Sequence, residues 1–212
     1  MSSCCSPGSY RKIFGAKQAR RDARRYRKKG LDPTAKLLVE HVGDPVRASA
    51  IEVGGGVGAV GLELLKRGAS HATNIDLSPE YDSEAWELAR EAQVEERVER
   101  RVGDFVRDAV PPADIVAMHR VVCCYPDYEE LLRAASDHAR RALVFSFPRE
   151  TWWWRTGISA MNAFIRLRRS GFRAYVHPVA GLLKVPADHG LSLAFEHEGR
   201  VWRMAAFKRR DA

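Results

Sequence analysis

Glu52, Gly54, Gly56 and Gly58 stand two residues apart, in residues 51–61 (IEVGGGVGAVG). A short apolar run precedes them and an amphipathic one follows. Glycine alone lets a backbone turn sharply off a strand end and still approach a ligand closely. A helix starting there aims its free N–H groups at the same space. Asp76, twenty residues after Gly56, closes a second apolar run in ATNIDLSPEY and is followed by Leu77. A carboxylate at the C-terminal end of a strand in an open sheet faces the ligand crevice and can accept both ribose hydroxyls. The chemistry in view is the binding of a nucleotide-type ligand, and its plain competitor is a glycine-rich loop that binds nothing.

Two ligands fit this turn. Gly56, Gly58 and Gly61 match the dinucleotide fingerprint G-x-G-x-x-G, with Asp76 near the place of its ribose-binding acid. Glu52, Gly54, Gly56 and Gly58 equally match acidic-x-G-x-G-x-G, and in this the region resembles the class I S-adenosylmethionine (SAM) methyltransferases. The acid separates the readings. A pyrophosphate would be repelled by Glu52, whereas SAM brings a cationic amino group and a sulfonium. A short-chain dehydrogenase also needs Tyr-x-x-x-Lys, and no tyrosine here has lysine at that spacing. The methyltransferase reading is preferred.

Further candidates lie at other strand ends. In RRVGDFV the resemblance implies that Asp104 accepts a hydrogen bond from the adenine amino group and that Phe105 packs on the ring; otherwise the pair is a turn and a core phenylalanine. DIVAMHRVVCCYPDYEELL should bring its loop beside the transferred methyl. Imidazole titrates near neutral pH, which makes His119 the acid–base candidate, with Tyr125 beside it. The competing role for His119 is a hydrogen bond within the cofactor's shell. Cys123 and Cys124 read equally as small buried apolar residues. Methyl transfer from SAM is an in-line displacement at an activated carbon, so alignment and exclusion of water matter most and no catalytic triad is expected.

These residues need elements to hold them. From Ser49 strand and helix patterns alternate, which predicts a parallel sheet covered on both faces. Strands are expected near 49–54, 72–76, 98–102, 113–118 and 141–147, and helices near 57–67, 79–95 and 127–139. Ser78 is expected to cap the helix after the second strand. Beyond Pro148 the rhythm changes: Trp152, Trp153 and Trp154 precede a helix near 157–169, a short helix follows near 178–189, and runs at 191–197 and 201–208 read as an antiparallel hairpin. The fold class is α/β, doubly wound and Rossmann-like. The resemblance implies a mostly parallel seven-stranded sheet ending in that hairpin.

The 212 residues suit one domain plus an arm. The expected division is a basic helical arm over 1–43 and a SAM-binding domain over 44–212, with a cap insertion at about 150–190. Net charge is +8, yet residues 1–30 alone carry ten Lys and Arg against one acid, Asp22, leaving the remainder near neutral. The arm reads as a helix from about 14 to 29 stopped by Gly30, then one over about 33–42 with Asp32 as N-cap. No run of about 18 apolar residues spans a membrane, and the first residues lack an apolar signal region. Four cysteines in two adjacent pairs, Cys4–Cys5 and Cys123–Cys124, form no C-x-x-C zinc site, so no metal is expected and a reducing cytoplasm is the natural compartment.

A closer resemblance covers most of the chain. YRKIFG (Tyr10 to Gly15), VVCCYPDYEELLRAAS and ALVFSFPRETWWWRTGISAMN are similar to the arm, the His-Tyr-Pro loop and the fifth strand with its cap helix in the magnesium-protoporphyrin IX O-methyltransferase branch. That implies an ester-forming enzyme whose arm and insert close over a flat, apolar, carboxylate-bearing acceptor. Cys124 stands where that branch has histidine, and Tyr10 and Phe14 stand where its arm has Trp and Tyr, so the acceptor is left open. The expected function is SAM-dependent O-methylation of a small or medium-sized acceptor. The expected cofactor residues are Glu52, Gly54, Gly56, Gly58, Asp76, Leu77, Asp104, Phe105 and His119.

Three competing readings are kept. The basic arm could serve nucleic acid, directly or as an RNA methyltransferase, or touch an anionic membrane surface. The loop after the fourth strand lacks the Asn/Asp-Pro-Pro-Tyr/Phe motif of many base methyltransferases, which disfavours nucleic acid. The paired cysteines could serve a metalloid acceptor. The Trp152–Trp154 cluster reads as pocket wall or cap packing in preference to a membrane anchor.

Overall fold

Strand β1 (Ser49–Val53) is buried along nearly its whole length, as a central parallel strand covered on both faces must be. In the computed structural model, which describes residues 13–167 and 171–210, it lies mid-sheet. Its neighbours are β2 (His71–Asp76), β3 (Val98–Val102), β4 (Ala113–Met118), β5 (Ala139–Pro148), β6 (Leu191–Glu198) and β7 (Trp202–Arg209). The seven strands run β3-β2-β1-β4-β5-β7-β6. Every pair from β3 to β5 is parallel, and β7 runs antiparallel to both β5 and β6. The doubly wound sheet with its terminal hairpin is therefore present.

The helices are α1 (Ala16–Lys29), α2 (Pro33–His41), α3 (Ala59–Lys66), α4 (Asp82–Glu91), α5 (Tyr128–His138), α6 (Trp152–Leu167) and α7 (Val179–Asp188). The single helix expected near 79–95 is divided into a 3₁₀ turn at Pro79–Tyr81, α4, and another 3₁₀ turn at Glu95–Arg97. The tryptophans expected ahead of the cap helix form its first turn instead. The motif at Tyr10 and the pair Cys4–Cys5 lie outside the described residues.

Strand alternation divides the core in two. Ala50, Ala72, Ile115 and Ala117 face α1 to α4, with Leu38, Val39, Leu64 and Leu65 from the helices. Ile51, Val53, Val116 and Met118 face the other way, with Leu131, Leu132 and Leu182 from α5 and α7. Glu52, between Ile51 and Val53, therefore turns toward the α3 side. Ala19 and Ala23 of α1 are fully buried in the first cluster. Along this face the arm is part of the core.

Chain order reverses between β1 and β4, so the crevice beyond their C-terminal ends is where an open α/β sheet binds ligands. Register places Val53 beside both Ile75 and Met118, and Met118 beside Phe145. The glycine turn, Asp76 and His119 leave the sheet at one level.

Candidate functional site

The turn after β1 is left-handed at Gly54 (φ +59°) and Gly56 (φ +54°). A Cβ at Gly54 would lie 2.7 Å from Val121 Cγ2, and one at Gly56 would lie 3.0 Å from the Tyr81 ring. Both positions need glycine for backbone and space together. Beneath the turn, Glu52 is buried. Its Oε1 accepts from Val60 N–H at 3.2 Å and its Oε2 from Gly61 N–H at 2.7 Å. Burial pushes the Glu52 carboxyl up to about 7, against the backbone hydrogen bonds that favour its charged form. Two N–H groups of the first turn of α3 are thus already held by a carboxyl of the protein, which disfavours an anion there.

Asp76 closes the turn from the side. Its Oδ2 accepts from Gly56 N–H and its Oδ1 from Ser78 N–H, each at 2.8 Å. Burial raises its carboxyl above the ordinary value. Ser78 does not cap the following helix: its hydroxyl donates to the Phe14 carbonyl at 2.8 Å and ties the arm to the end of β2. Asp104 Oδ1 accepts from Val106 N–H at 3.0 Å within its own turn, and Arg107 lies 3.5 Å from its other oxygen. Phe105 is buried and meets His138 edge-on at 5.1 Å.

His119, directly after β4, has both ring nitrogens engaged. Nε2 lies 3.0 Å from Asp32 Oδ2 and Nδ1 lies 3.1 Å from Ser146 Oγ. Ser146 Oγ also accepts from Arg120 N–H, so this hydroxyl links the imidazole to the backbone that follows it. Asp32 Oδ1 meanwhile caps α2 through Thr34 and Ala35 N–H. Its Oδ2 also receives Arg25 at 3.0 Å and Arg120 at 3.1 Å. Burial would raise this carboxyl, but the hydrogen bond and charge of His119, with the charge of Arg120, hold it well below the ordinary carboxylate range. His119, read as acid–base candidate or as a hydrogen-bonding residue of the cofactor's shell, here bridges the arm and the sheet through these contacts.

One cavity of about 370 Å³ joins these parts. Glu52, Gly54, Gly56, Asp76, Leu77, Asp104, Phe105, His119 and Tyr125 all line it. Gly58 does not: it heads α3 in the left-handed region, with Asn74 Nδ2 2.8 Å from the position of a Cβ. The facing wall comes from the arm, through Phe14, Gln18, Asp22, Tyr26 and Leu31. Trp152 and Trp153 are exposed and, like Trp154, line none of it; this corrects the pocket-wall expectation. Cys124 lines the cavity, but its thiol and that of Cys123 both point at the Arg120 carbonyl, 3.8 Å apart. The hydrogen bond with Cys123, together with burial, raises the Cys124 thiol, and no cluster of three metal-ligating side chains occurs among the described residues.

Sequence reading missed three contributors. Arg100 is buried on β3, donates to the Gly56 carbonyl at 2.8 Å and pairs with Asp82. Tyr81, also buried, packs under Gly56 and donates to Asp22 at 3.1 Å. Asp32 was read as an N-cap only. Arg100 stands in a mostly charged edge strand, VERRV, so nothing in the pattern singled it out.

A family model described as an O-methyltransferase domain matches residues 8–139. No curated protein matches the chain. Among solved structures, the magnesium protoporphyrin IX methyltransferase of Synechocystis PCC 6803, with bound SAH, is 22% identical with a TM-score of 0.67, over 95% of this chain and 93% of that one. An O-methyltransferase family protein from Burkholderia thailandensis is 19% identical (TM-score 0.69, 91% of this chain, 58% of that one). An O-methyltransferase family 2 protein from Planctomyces limnophilus, in complex with apigenin, is 16% identical (TM-score 0.68, 92% of this chain, 61% of that one). None of this supports the nucleic-acid or metalloid readings, and in the arm Arg25 pairs with Asp32 while Arg27 pairs with Glu84, Glu87 and Glu91. With more than half of its length matched, the chain belongs to the O-methyltransferase domain family.

Proposed function

We propose that the chain binds SAM in the cavity between the glycine turn and α1 and methylates an oxygen of a small or medium-sized acceptor. The observation that carries this reading is Glu52 bonded to the first turn of α3. A dinucleotide needs that helix end for its pyrophosphate, and here a carboxylate holds it. A cationic ligand suits the same surroundings.

The residues present fit the cofactor. Each oxygen of Asp76 accepts one backbone N–H and keeps acceptor capacity for a ribose hydroxyl. Gly54 and Gly56 leave the room that a side chain would fill. Leu77 and Phe105 offer apolar walls for a base beside Asp104. When bound, SAM supplies an activated methyl group for in-line displacement.

The chain's own work is then alignment and the exclusion of water. His119 is the one imidazole among the described residues lining the cavity, and both its nitrogens are engaged. That favours an acceptor which arrives as an anion, such as a carboxylate, and needs no base. His119 and Tyr125 become positioning residues on this reading. Residues 1–43 act as a cap over the cofactor, 44–212 as the catalytic domain with its insertion at about 150–190, and the cytoplasm is the proposed compartment.

The test is calorimetric titration with S-adenosylhomocysteine. Micromolar binding is expected, lost on Gly56→Val; an intact chain that takes up no ligand would remove the proposal.

A further inference from the structure

Helix α6 buries none of its residues. Its inward positions, Ile158 and Ile165, pack beside Phe14, Leu77, Cys124 and Phe172, three of which line the cavity. Asn162 on the same face bonds both backbone groups of Ala174. The opposite face carries Trp152 (78% exposed), Trp153, Met161, Phe164 and Leu167 (81% exposed). Half of the large exposed apolar side chains among the described residues therefore stand on this one helix, far more than scattered surface apolar residues require.

Charge indicates what covers that face. Between Glu150 and Asp188 the sequence has no acid, while it has Arg155, Arg166, Arg168, Arg169, Arg173 and Lys184; Glu150 lies 3.8 Å from Arg155, and Asp188 pairs with Lys184. Arg155 and Arg166 fall together at one edge of the apolar face, by the 3.6-residue period. Tryptophan, phenylalanine and leucine on one side, cations at the margin and no acid make the pattern of a helix lying in a membrane interface. No described helix is long and apolar enough to cross a membrane, so the contact is a surface one.

We infer that α6 docks the protein on an anionic lipid bilayer, with its outward face in the headgroup boundary and its inward face against the cavity wall. If the methyltransferase reading above holds, the acceptor is an amphipathic molecule that reaches the cavity from the bilayer.

Co-sedimentation with lipid vesicles tests the docking without any acceptor. Wild type is expected to bind vesicles of phosphatidylcholine with phosphatidylglycerol, to bind phosphatidylcholine alone far less, and to be released by salt. Trp153→Glu with Phe164→Glu, both at exposed sites, should weaken binding by on the order of tenfold or more. Wild type that stays in solution, or that binds equally well with the double substitution, overturns the docking. So does a dimer in lipid-free buffer that the double substitution dissociates, since a second copy would then cover the face. S-adenosylhomocysteine binding by wild type and variant in lipid-free buffer separates the two proposals, because its loss in both sinks the enzyme reading and leaves the docking result standing.

Discussion

Asp32 Oδ2 lies 3.0 Å from His119 Nε2, across 87 residues of sequence. The same carboxylate caps α2 and receives Arg25 and Arg120, so one side chain fastens the arm to the end of β4. Asp32→Asn keeps a cap but removes the charge, and is expected to cost about 2–4 kcal/mol in urea unfolding. Because the Asp32 carboxyl is held low, its stabilisation is present above the ordinary carboxylate range and is lost as pH falls through the lowered value. A double-mutant cycle with His119→Gln should show coupling of about 1–3 kcal/mol, and additive losses would count against the strut.

Gly54 joins a left-handed φ to a close approach by Val121. Gly54→Ala is expected to lower stability by about 1–3 kcal/mol and to weaken S-adenosylhomocysteine binding. Adding Val121→Ala should recover the steric part alone. Full recovery would show that the backbone conformation is not strained by a side chain.

Asp76 holds Gly56 and Ser78 while facing the cavity. Asp76→Ala is expected to reduce affinity for S-adenosylhomocysteine by about 10- to 100-fold, the loss of charge-assisted hydrogen bonds. Calorimetry showing wild-type affinity would remove Asp76 from the proposed ribose contact.

Glu52 predicts an opposite dependence on pH. Its carboxyl stands near 7 in the folded chain against an ordinary value of 4.5, with burial as the main cause. A raised carboxyl binds its proton more tightly when folded, so its contribution is complete below the ordinary value and declines as pH rises to about 7. The decline amounts to about 3 kcal/mol. Urea unfolding of wild type from about pH 5 to about pH 8 should show this slope, and Glu52→Gln should flatten it. Parallel profiles for the two proteins would contradict the shift.

The sheet was legible because short apolar runs and helical patterns alternate from Ser49 onward, and the first three strands end at a glycine or an acid: Gly54, Asp76 and Gly103. The glycine turn was legible for the same local reason. What escaped was long-range: Arg100, Tyr81 and Ser146 meet Gly56, Asp22 and His119 only after the sheet has formed. Glu52 lines the cavity as expected of a ligand-side acid, but pattern did not show that helix N–H groups on the α3 side would claim both its oxygens. The tryptophans read as pocket wall or cap packing because they are apolar, but α6 turns Trp152 and Trp153 to the solvent.

The arm's two fastenings bear on time as well as on place. Ser78 holds the Phe14 carbonyl before α1 begins, and Asp32 holds Arg25 within it. A cofactor seated behind α1 leaves as fast as these ties release. Product escape would then be the slow stage of turnover, with lifetime on the protein governed by contacts that never touch the ligand. Stopped-flow dissociation of S-adenosylhomocysteine should accelerate in Ser78→Ala while the association rate changes little, and unchanged dissociation would place the clock elsewhere.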